Sequence, residues 1–584
     1  MTGGREGSSA ERTRQYLYAT VLVLLIVLLY VPLLERTGFA SHEGSNPYVR
    51  VLEHVREIHD GHWLPQTYPD LFYGAGYAFP RFYPPLGNTV AAGLTALTGD
   101  VVAGVHLSYL LSIVLSGLSM YALLWAVGRD HVVAVLGALA YVSFPYRFQE
   151  VFVRGALAEG WTFVWYPLIL LGGWRIQEGQ RAPWYLPPAI AGLVLSHPQM
   201  TLYFAVVSAL LLVSWRGAST TSVLRASGAV AVLALGLSAW YWLPELHYVP
   251  GIWASVPRPL GAEPAQVQHE RVRLIQALIG LPERNGMRLW AGAVGLLAIG
   301  AALYDFIRPR DGAEAAGWRR RAAWLLIPWW LLFGFMLAPG VPLALLPKAF
   351  GYIQFPWRVL GPMGFLSSAS LACSLLAQRS RWLTVGVGAV LVLAVPGAGL
   401  VPYSRPEWTG PALVRRVASH PIPHGLTSSS EYLPRSVPGF AGPYIRARSA
   451  LSRAIHSAPR GSSGVVVRSF VRSGSASRLI VESRDSGVVV LPIIYYDFYH
   501  VESSSPDRVA AHDSLGLLTL TVGPGRHVVR VSERLTAITW VGLAITLVSC
   551  LVGLVYAWRR PARGPRMAPA SAENAPHTAW RGTI

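Results

Sequence analysis

The first apolar run of the chain is followed by an acid, Glu43, in a loop reading SHEGSNPYVRVLEHVREIHDGHWLPQTYPDLFYGAGYAFPRFYPPLG. The loop is dense in acids, arginines, rings and prolines, and nearly everything around it is apolar. It offers Glu43 with His42 beside it, then Arg50, His54, Asp60, Asp70 and Arg81. Polar groups recur at later positions that the charge pattern assigns to the same membrane face. These are Tyr146, Arg147, Glu150, Arg154 and Glu159, then His197, Glu245 and His247. The run Gln354-Phe355-Pro356-Trp357-Arg358 and the segment Glu431-Tyr432-Leu433-Pro434 complete the set. A carboxylate can take the proton from an acceptor hydroxyl. Arginines can hold a phosphate leaving group and neutralise its growing charge. The combination suits chemistry on a lipid-phosphate-linked sugar, with Trp63, Tyr68, Tyr73, Phe82 and Tyr83 placed to stack on sugar faces or to sit at the membrane interface.

Each residue also has a plainer reading. The loop aromatics can be belt or packing residues, and Arg147–Glu150 or Glu150–Arg154 can be structural ion pairs. His197 before Pro198 can cap a tight hairpin, and Arg358 can snorkel to lipid phosphate. His59 and His62 flank Asp60-Gly61 without a third ligand nearby, which is weak ground for a metal. Phosphate-loop, dinucleotide and HExxH patterns are absent, and His269-Glu270 lacks the required spacing.

The elements that must position these groups are membrane helices. Of 584 residues, 52% are hydrophobic, and the mean hydropathy is +0.39, too apolar for a soluble chain of this length. The formal charge of +19 does not indicate nucleic acid, because only 14% of residues are charged and the arginines cluster at the ends of apolar segments. Lys348 is the only lysine. Cys373 and Cys550 lie in apolar spans and support neither a disulfide scaffold nor a cysteine metal site. The first apolar run, 16–34, has no cleavage motif after it and reads as a retained helix. Charge alternation predicts about twelve spans with both termini cytoplasmic. On this reading residues 1–400 form the membrane core. Its first outer loop spans 35–100, with 86–98 as a short re-entrant or interfacial helix. Residues 401–533 show period-2, β-branched runs and predict an extracytoplasmic, mainly-β domain, a sandwich preceded by coil or short helices. Residues 534–558 form the last helix, and the Pro/Ala-rich 559–584 reads as a disordered cytoplasmic tail.

The pattern of an acid after the first helix, then G-x-W and YPDLFYGAGYAFPRFYPPLG, resembles bacterial polytopic proteins labelled 6-pyruvoyl-tetrahydropterin synthase-related. These are akin to YfhO-like proteins and to GT-C-fold glycosyltransferases. The likeness continues in RGALAEGWTFVWYPLIL, His197, IQFPWR, EYLP and LPIIYYDFYHVE. The resemblance implies a polytopic all-α membrane protein of GT-C type, with the β-sandwich inserted before the last helix. It implies a bacterial plasma-membrane enzyme taking sugar from a polyprenyl-phosphate donor to an envelope glycan, glycolipid or glycoprotein acceptor among membrane lipids, with no nucleic acid partner. By resemblance Glu43 is the general base of an inverting displacement. The family usually carries His-Asp there; His42-Glu43 keeps the charge and adds a methylene. Arg358 and Arg154 would hold the donor phosphate. Glu150, Glu159 and His197 would shape the acceptor site. His42, Trp63, Tyr83, Gln354, Trp357, Glu431 and Tyr432 complete the expected substrate-binding set. No cofactor is expected, with a divalent metal as the alternative. The competing functions are a non-catalytic carbohydrate-binding or envelope-assembly protein and a lipid-linked saccharide transporter.

Overall fold

The computed structural model describes residues 3–214, 219–255, 274, 277, 292–338, 355–397, 404–405, 408–419, 431–437, 444–503 and 510–558. Gln354 and the tail 559–584 lie outside them. The chain is mainly helical, with a β-sheet region near its C-terminus. Among the described residues five helices are long and apolar enough to cross a membrane: Ser9–Leu29, Val101–Gly128, Thr220–Leu237, Pro356–Gln378 and Ala537–Trp558. A sixth is counted if His131–Val142 and Pro145–Arg154, bent by 51°, make one span. The expected twelve are therefore not reached by length and composition. Leu186–Ser196, Pro198–Leu212, Gly292–Ile307 and Arg381–Leu391 are apolar but short. At 1.5 Å rise per residue, helices of this length fall short of a core of roughly 30 Å.

Local sequence explains the breaks. Asp100 Oδ1 accepts from the Val102 and Ala103 amides at 2.8 and 3.0 Å and starts the helix Val101–Gly128. Arg129 turns left-handed at φ 55°, and Asp130 caps the next helix through Val133 N at 3.0 Å. The apolar stretch beginning at His131, one of the predicted spans, is helical only to Val142. Phe144 precedes Pro145 and is extended at ψ 130°, because proline excludes the helical region for its predecessor. Leu86–Thr98 is the short helix expected at 86–98, and it packs tightly on the next one. A Cβ on Gly104 would lie 2.0 Å from Thr95 Oγ1.

Two antiparallel four-stranded sheets form the β-region. One has the order β4 (Val465–Ser473), β5 (Ala476–Ser483), β10 (Gly525–Glu533), β7 (Tyr499–Ser503). The other has the order β3 (Arg460–Gly461), β6 (Gly487–Ile494), β9 (Leu517–Val522), β8 (Ala510–His512). Alternate residues are buried: Leu479 and Val481 on β5, Val529 and Val531 on β10, Val489 and Leu491 on β6. The helices Gly410–Ser419 and Tyr444–Ile455 precede the strands. After β10 the chain enters Ala537–Trp558, which is held to its neighbour by Thr546 Oγ1 donating to Gly236 O at 3.0 Å.

The first loop is not a free coil. It contains a helix, Asn46–His59, that charge and ring content concealed. The short pair β1 (Gly38–Phe39) and β2 (Ser404–Arg405) ties the loop to the chain entering the β-region. Ile494 N donates to Ala75 O at 2.9 Å, and Ala78 N to Tyr496 Oη at 3.2 Å. Glu533 accepts from Gln66 N at 2.9 Å and from the Thr67 hydroxyl. His62 Nδ1 sits 2.8 Å from Glu57 Oε2 and 3.1 Å from Ser475 Oγ.

This seam should respond to pH. Burial pushes the Glu533 carboxyl up to about 7, and hydrogen bonding to Glu57 raises His62. Both groups hold protons more tightly folded than unfolded. The Glu533 contribution is fully present below the ordinary 4.5 and is lost as pH rises through about 7. Asp60, Tyr499 and Arg472 face the same seam. The Gln66 amide should be better protected from hydrogen exchange at about pH 5 than at about pH 8, after correction for intrinsic rates. Glu533→Gln should flatten the difference; an unchanged slope in that variant would remove Glu533 as its source.

Candidate functional site

Past Pro145, the chain makes one helical turn and then a π-type turn, Gln149–Arg154, which ends at Gly155 with φ 73°. The next helix begins at Leu157. This compact detour brings Tyr146, Glu150, Arg154 and Glu159 onto one another. Arg154 Nη1 donates to Glu159 Oε2 at 2.7 Å, to Tyr146 Oη at 3.2 Å and to Glu150 Oε1. Tyr146 donates to the other Glu159 oxygen at 2.7 Å. Arg358 enters from the start of another helix. Its Nε lies 3.3 Å from Glu159 Oε2, and its Nη1 donates to Gln199 Oε1 at 2.7 Å.

Two carboxylates thus face two guanidiniums. The side chains are 0% and 1% exposed for Glu150 and Glu159, and 12% and 14% for Arg154 and Arg358. The acids are sealed and the arginines keep an opening. Rings fix both arginines: Arg154 lies 4.6 Å over Trp357, and Arg358 4.8 Å over Phe355. His197 Nε2 is 3.4 Å from Arg358 Nη1, while its Nδ1 is buried without a hydrogen bond among the described residues. A buried ring nitrogen left so is uncommon in a purely structural site.

Glu43 is seated on this same turn by the backbone. His42 N donates to Val153 O at 2.8 Å, and Glu43 N to Arg154 O at 3.1 Å. Gly155 permits the approach: a Cβ there would come 2.5 Å from Ser41 Oγ and 3.3 Å from Glu43 Cβ. Arg50, on the helix Asn46–His59, places Nη2 at 2.9 Å from Glu43 Oε2. Its guanidinium lies 4.3 Å over Phe79 and 5.3 Å over Tyr83. The Glu43 side chain is 37% exposed and reachable; Arg50, at 5%, is not. Deeper in the same helix, burial raises Glu53 to about 8 and lowers His54 to about 4, so His54 stays neutral.

Of the residues expected from the sequence, Glu150, Arg154, Glu159, His197, Trp357 and Arg358 form one cluster, and Glu43 lies on its edge. Tyr83 stacks on Phe79 at 4.4 Å beside Arg50, and Tyr432 stacks on Phe82 at 5.7 Å. Tyr432 N donates to Tyr77 Oη, and the Glu431 carbonyl accepts from Ala254 N. His42 is exposed. Trp63 is not brought in: it is 78% exposed, between His62 and Gln66, which bind the β-region. Gln354 lies outside the described residues. Arg147 makes no close ion pair with Glu150 and feels it only as a nearby charge; its guanidinium donates to Gly160 O and Ser112 Oγ. Gln199, which holds Arg358, was missed, and its only signal was its place two residues after His197. Among the described residues no group of three His, Cys, Asp or Glu could hold a metal.

Residues 80–348 match the family described as 6-pyruvoyl-tetrahydropterin synthase related domain, a membrane protein. The matched stretch carries Glu150, Arg154, Glu159 and His197, while Glu43 and Arg358 flank it. An uncharacterized protein of Lactococcus lactis subsp. cremoris is 23% identical over 256 residues, 42% of each chain. Arabinofuranosyltransferase AftD from Mycobacteria aligns over 87% of this chain and 40% of its own at 14% identity, with a TM-score of 0.47. The chain therefore spans about two fifths of the length of each of these relatives. The family description and the apolar helices agree that the chain is embedded in a membrane.

Proposed function

We propose that the chain is a membrane glycosyltransferase of GT-C type, taking a sugar from a polyprenyl-phosphate donor to an envelope glycan, glycolipid or glycoprotein. The reaction takes place at the extracytoplasmic face, with the termini inside and residues 401–533 outside. The observation that carries this reading is the seating of Glu43 on the turn that supplies Arg154, so that one reachable acid and two partly open guanidiniums share one place. In the reaction, Glu43 takes the proton of the acceptor hydroxyl. The hydroxyl oxygen bonds to the anomeric carbon from the face opposite the phosphate. The bond from that carbon to the phosphate oxygen breaks, and the electron pair leaves with the phosphate. Arg358 and Arg154 receive the charge. Inversion follows from direct displacement. Glu150 and Glu159, sealed from solvent, hold the arginines rather than touch the acceptor. His197 and Gln199 keep Arg358 aimed. No metal enters this scheme.

One observation favours a second reading. Glu43 is paired with Arg50, as it would be in a carbohydrate-binding protein that transfers nothing. The two readings separate in nanodiscs supplied with polyprenyl-phosphate-linked pentoses and hexoses and an envelope glycan extract. Release of free polyprenyl phosphate dependent on the glycan supports transfer. Donor or glycan retained without release across the whole set supports binding alone.

A further inference from the structure

A second cavity opens where the first loop, the membrane helices and the β-region meet. It holds about 220 Å³, smaller than the roughly 300–1,000 Å³ of drug-sized ligand pockets and open at one side, so it takes the end of a chain rather than a whole ligand. Phe82 and Tyr248 form the side towards the helices, and Tyr495, Asp497 and His512 the side towards the strands, with Arg435 at the third.

We propose that this cavity binds a neutral oligosaccharide, the acceptor end of the glycan, with its sugar faces on Tyr495 and Tyr248 and its hydroxyls on Asp497 and Arg435. The proposal rests on the transferase reading for the word acceptor, and on the cavity alone for the saccharide.

The walls are preformed. Phe498 is 3% exposed and meets Tyr248 edge-on at 6.1 Å, and Tyr496 donates to Tyr432 O at 3.2 Å. Little ordering is left for binding to supply. Arg435 is held by two contacts, its amide on Gly251 O at 2.9 Å and its Nη2 on Ser255 Oγ at 2.8 Å. Asp497 lies close enough to Tyr495 to raise the pKa of its hydroxyl, second to burial, and the Tyr495 and His512 rings are 6.1 Å apart. Arg435, Asp497 and His512 are exposed, and Tyr495 is half-buried.

A guanidinium held by Ser255 and a nearby carboxylate offer several donors and acceptors, which suits neighbouring hydroxyls. One carboxylate stands with one guanidinium, so an anion gains little here. The charged rim disfavours a lipid tail. Exposed ring surface beside polar groups fits the alternating apolar and hydroxyl faces of a sugar. Ser436 Oγ, also in the lining, is buried with no hydrogen bond among the described residues. One lining residue is a chain neighbour of the candidate site. Phe82 is followed by Tyr83, whose ring lies 5.3 Å from the guanidinium that binds Glu43.

The test uses the full chain in nanodiscs and saturation-transfer NMR, with neutral tetrasaccharides of hexoses and of pentoses as probes. At least one probe should bind the wild type. Asp497→Asn and Arg435→Ala, both at exposed positions, should weaken it about tenfold or more. Tyr495→Ala should abolish its signal, and Glu43→Gln should retain it. Failure of every probe, or wild-type binding in both Asp497→Asn and Arg435→Ala, overturns the proposal. Binding that depends on these residues without any donor turnover upholds the cavity and removes the transferase reading. Turnover whose glycan KM ignores both variants upholds transfer and removes the cavity.

Discussion

Replacing Glu43 with Gln should lower glycan-dependent release of polyprenyl phosphate by about 10²- to 10⁴-fold, the usual worth of a positioned base. The amide keeps the shape and can still accept from Arg50, but it cannot take a proton. Donor affinity should stay within about twofold, because the phosphate rests on Arg358 and Arg154. The melting temperature should fall only modestly. Glu43 is 37% exposed but Arg50 only 5%; the amide removes the charge from a half-buried pair yet still accepts from the guanidinium, which is not left without its hydrogen bond. Glu43→Asp should retain partial activity, since it keeps the charge and shortens the reach by one methylene. Full activity in Glu43→Gln would end the assignment of this residue as base. A large fall in melting temperature would instead mark it as a structural ion-pair member.

Arg154→Ala should be the most destabilising single change at the site, by about 3–5 kcal/mol, because it strands buried carboxylates. Arg154 is the shared partner of Glu150 and Glu159, which are 0% and 1% exposed. Glu159 would keep Arg358 at 3.3 Å, but Glu150 would keep only the more distant charge of Arg147, which it does not contact. Adding Glu150→Gln to Arg154→Ala should therefore recover part of the loss. Arg358→Ala should cost less stability and more donor affinity, since its other partner is the neutral Gln199. Thermal melts in one detergent, with donor titrations on each variant, separate these effects. If Arg154→Ala melts like the wild type, the cluster is not the electrostatic centre described above.

Much of this arrangement could be read along the chain. The β-branched runs in 464–533 became strands, and the apolar stretch near 535–557 became the last helix. Glu150, Arg154 and Glu159 of YRFQEVFVRGALAEG proved to be neighbours, because four or five residues separate them and local turns decide where they go. What could not be read depends on distant contacts or unusual backbone. The π-type turn has no composition signature, yet it puts Glu150 and Glu159 on the same guanidinium. The helix Asn46–His59 was hidden because Arg50, Glu53, His54 and Glu57 are all buried, so its polar residues do not mark a solvent face. Arg50 was visible as a charge but not as the partner of Glu43. Trp63 looked like a sugar platform by type alone, and only the docking of its neighbours on the β-region shows where it lies.

The seam between the first loop and β10 also sets an order of assembly. Gln66 and Glu533 are 467 residues apart. At ribosomal rates of about 5–20 residues per second, the loop is made roughly 20–90 s before the strand that covers it. Once residue 154 has been made, Glu43 and the arginine turn can meet, but the strand that binds Gln66 and Thr67 does not yet exist. The nascent protein therefore passes through a stage with its charged turn built and its first loop not yet joined to β10. A chain stopped before β10 would be caught in that state, and quality control acting on unpaired loop edges would meet this species first.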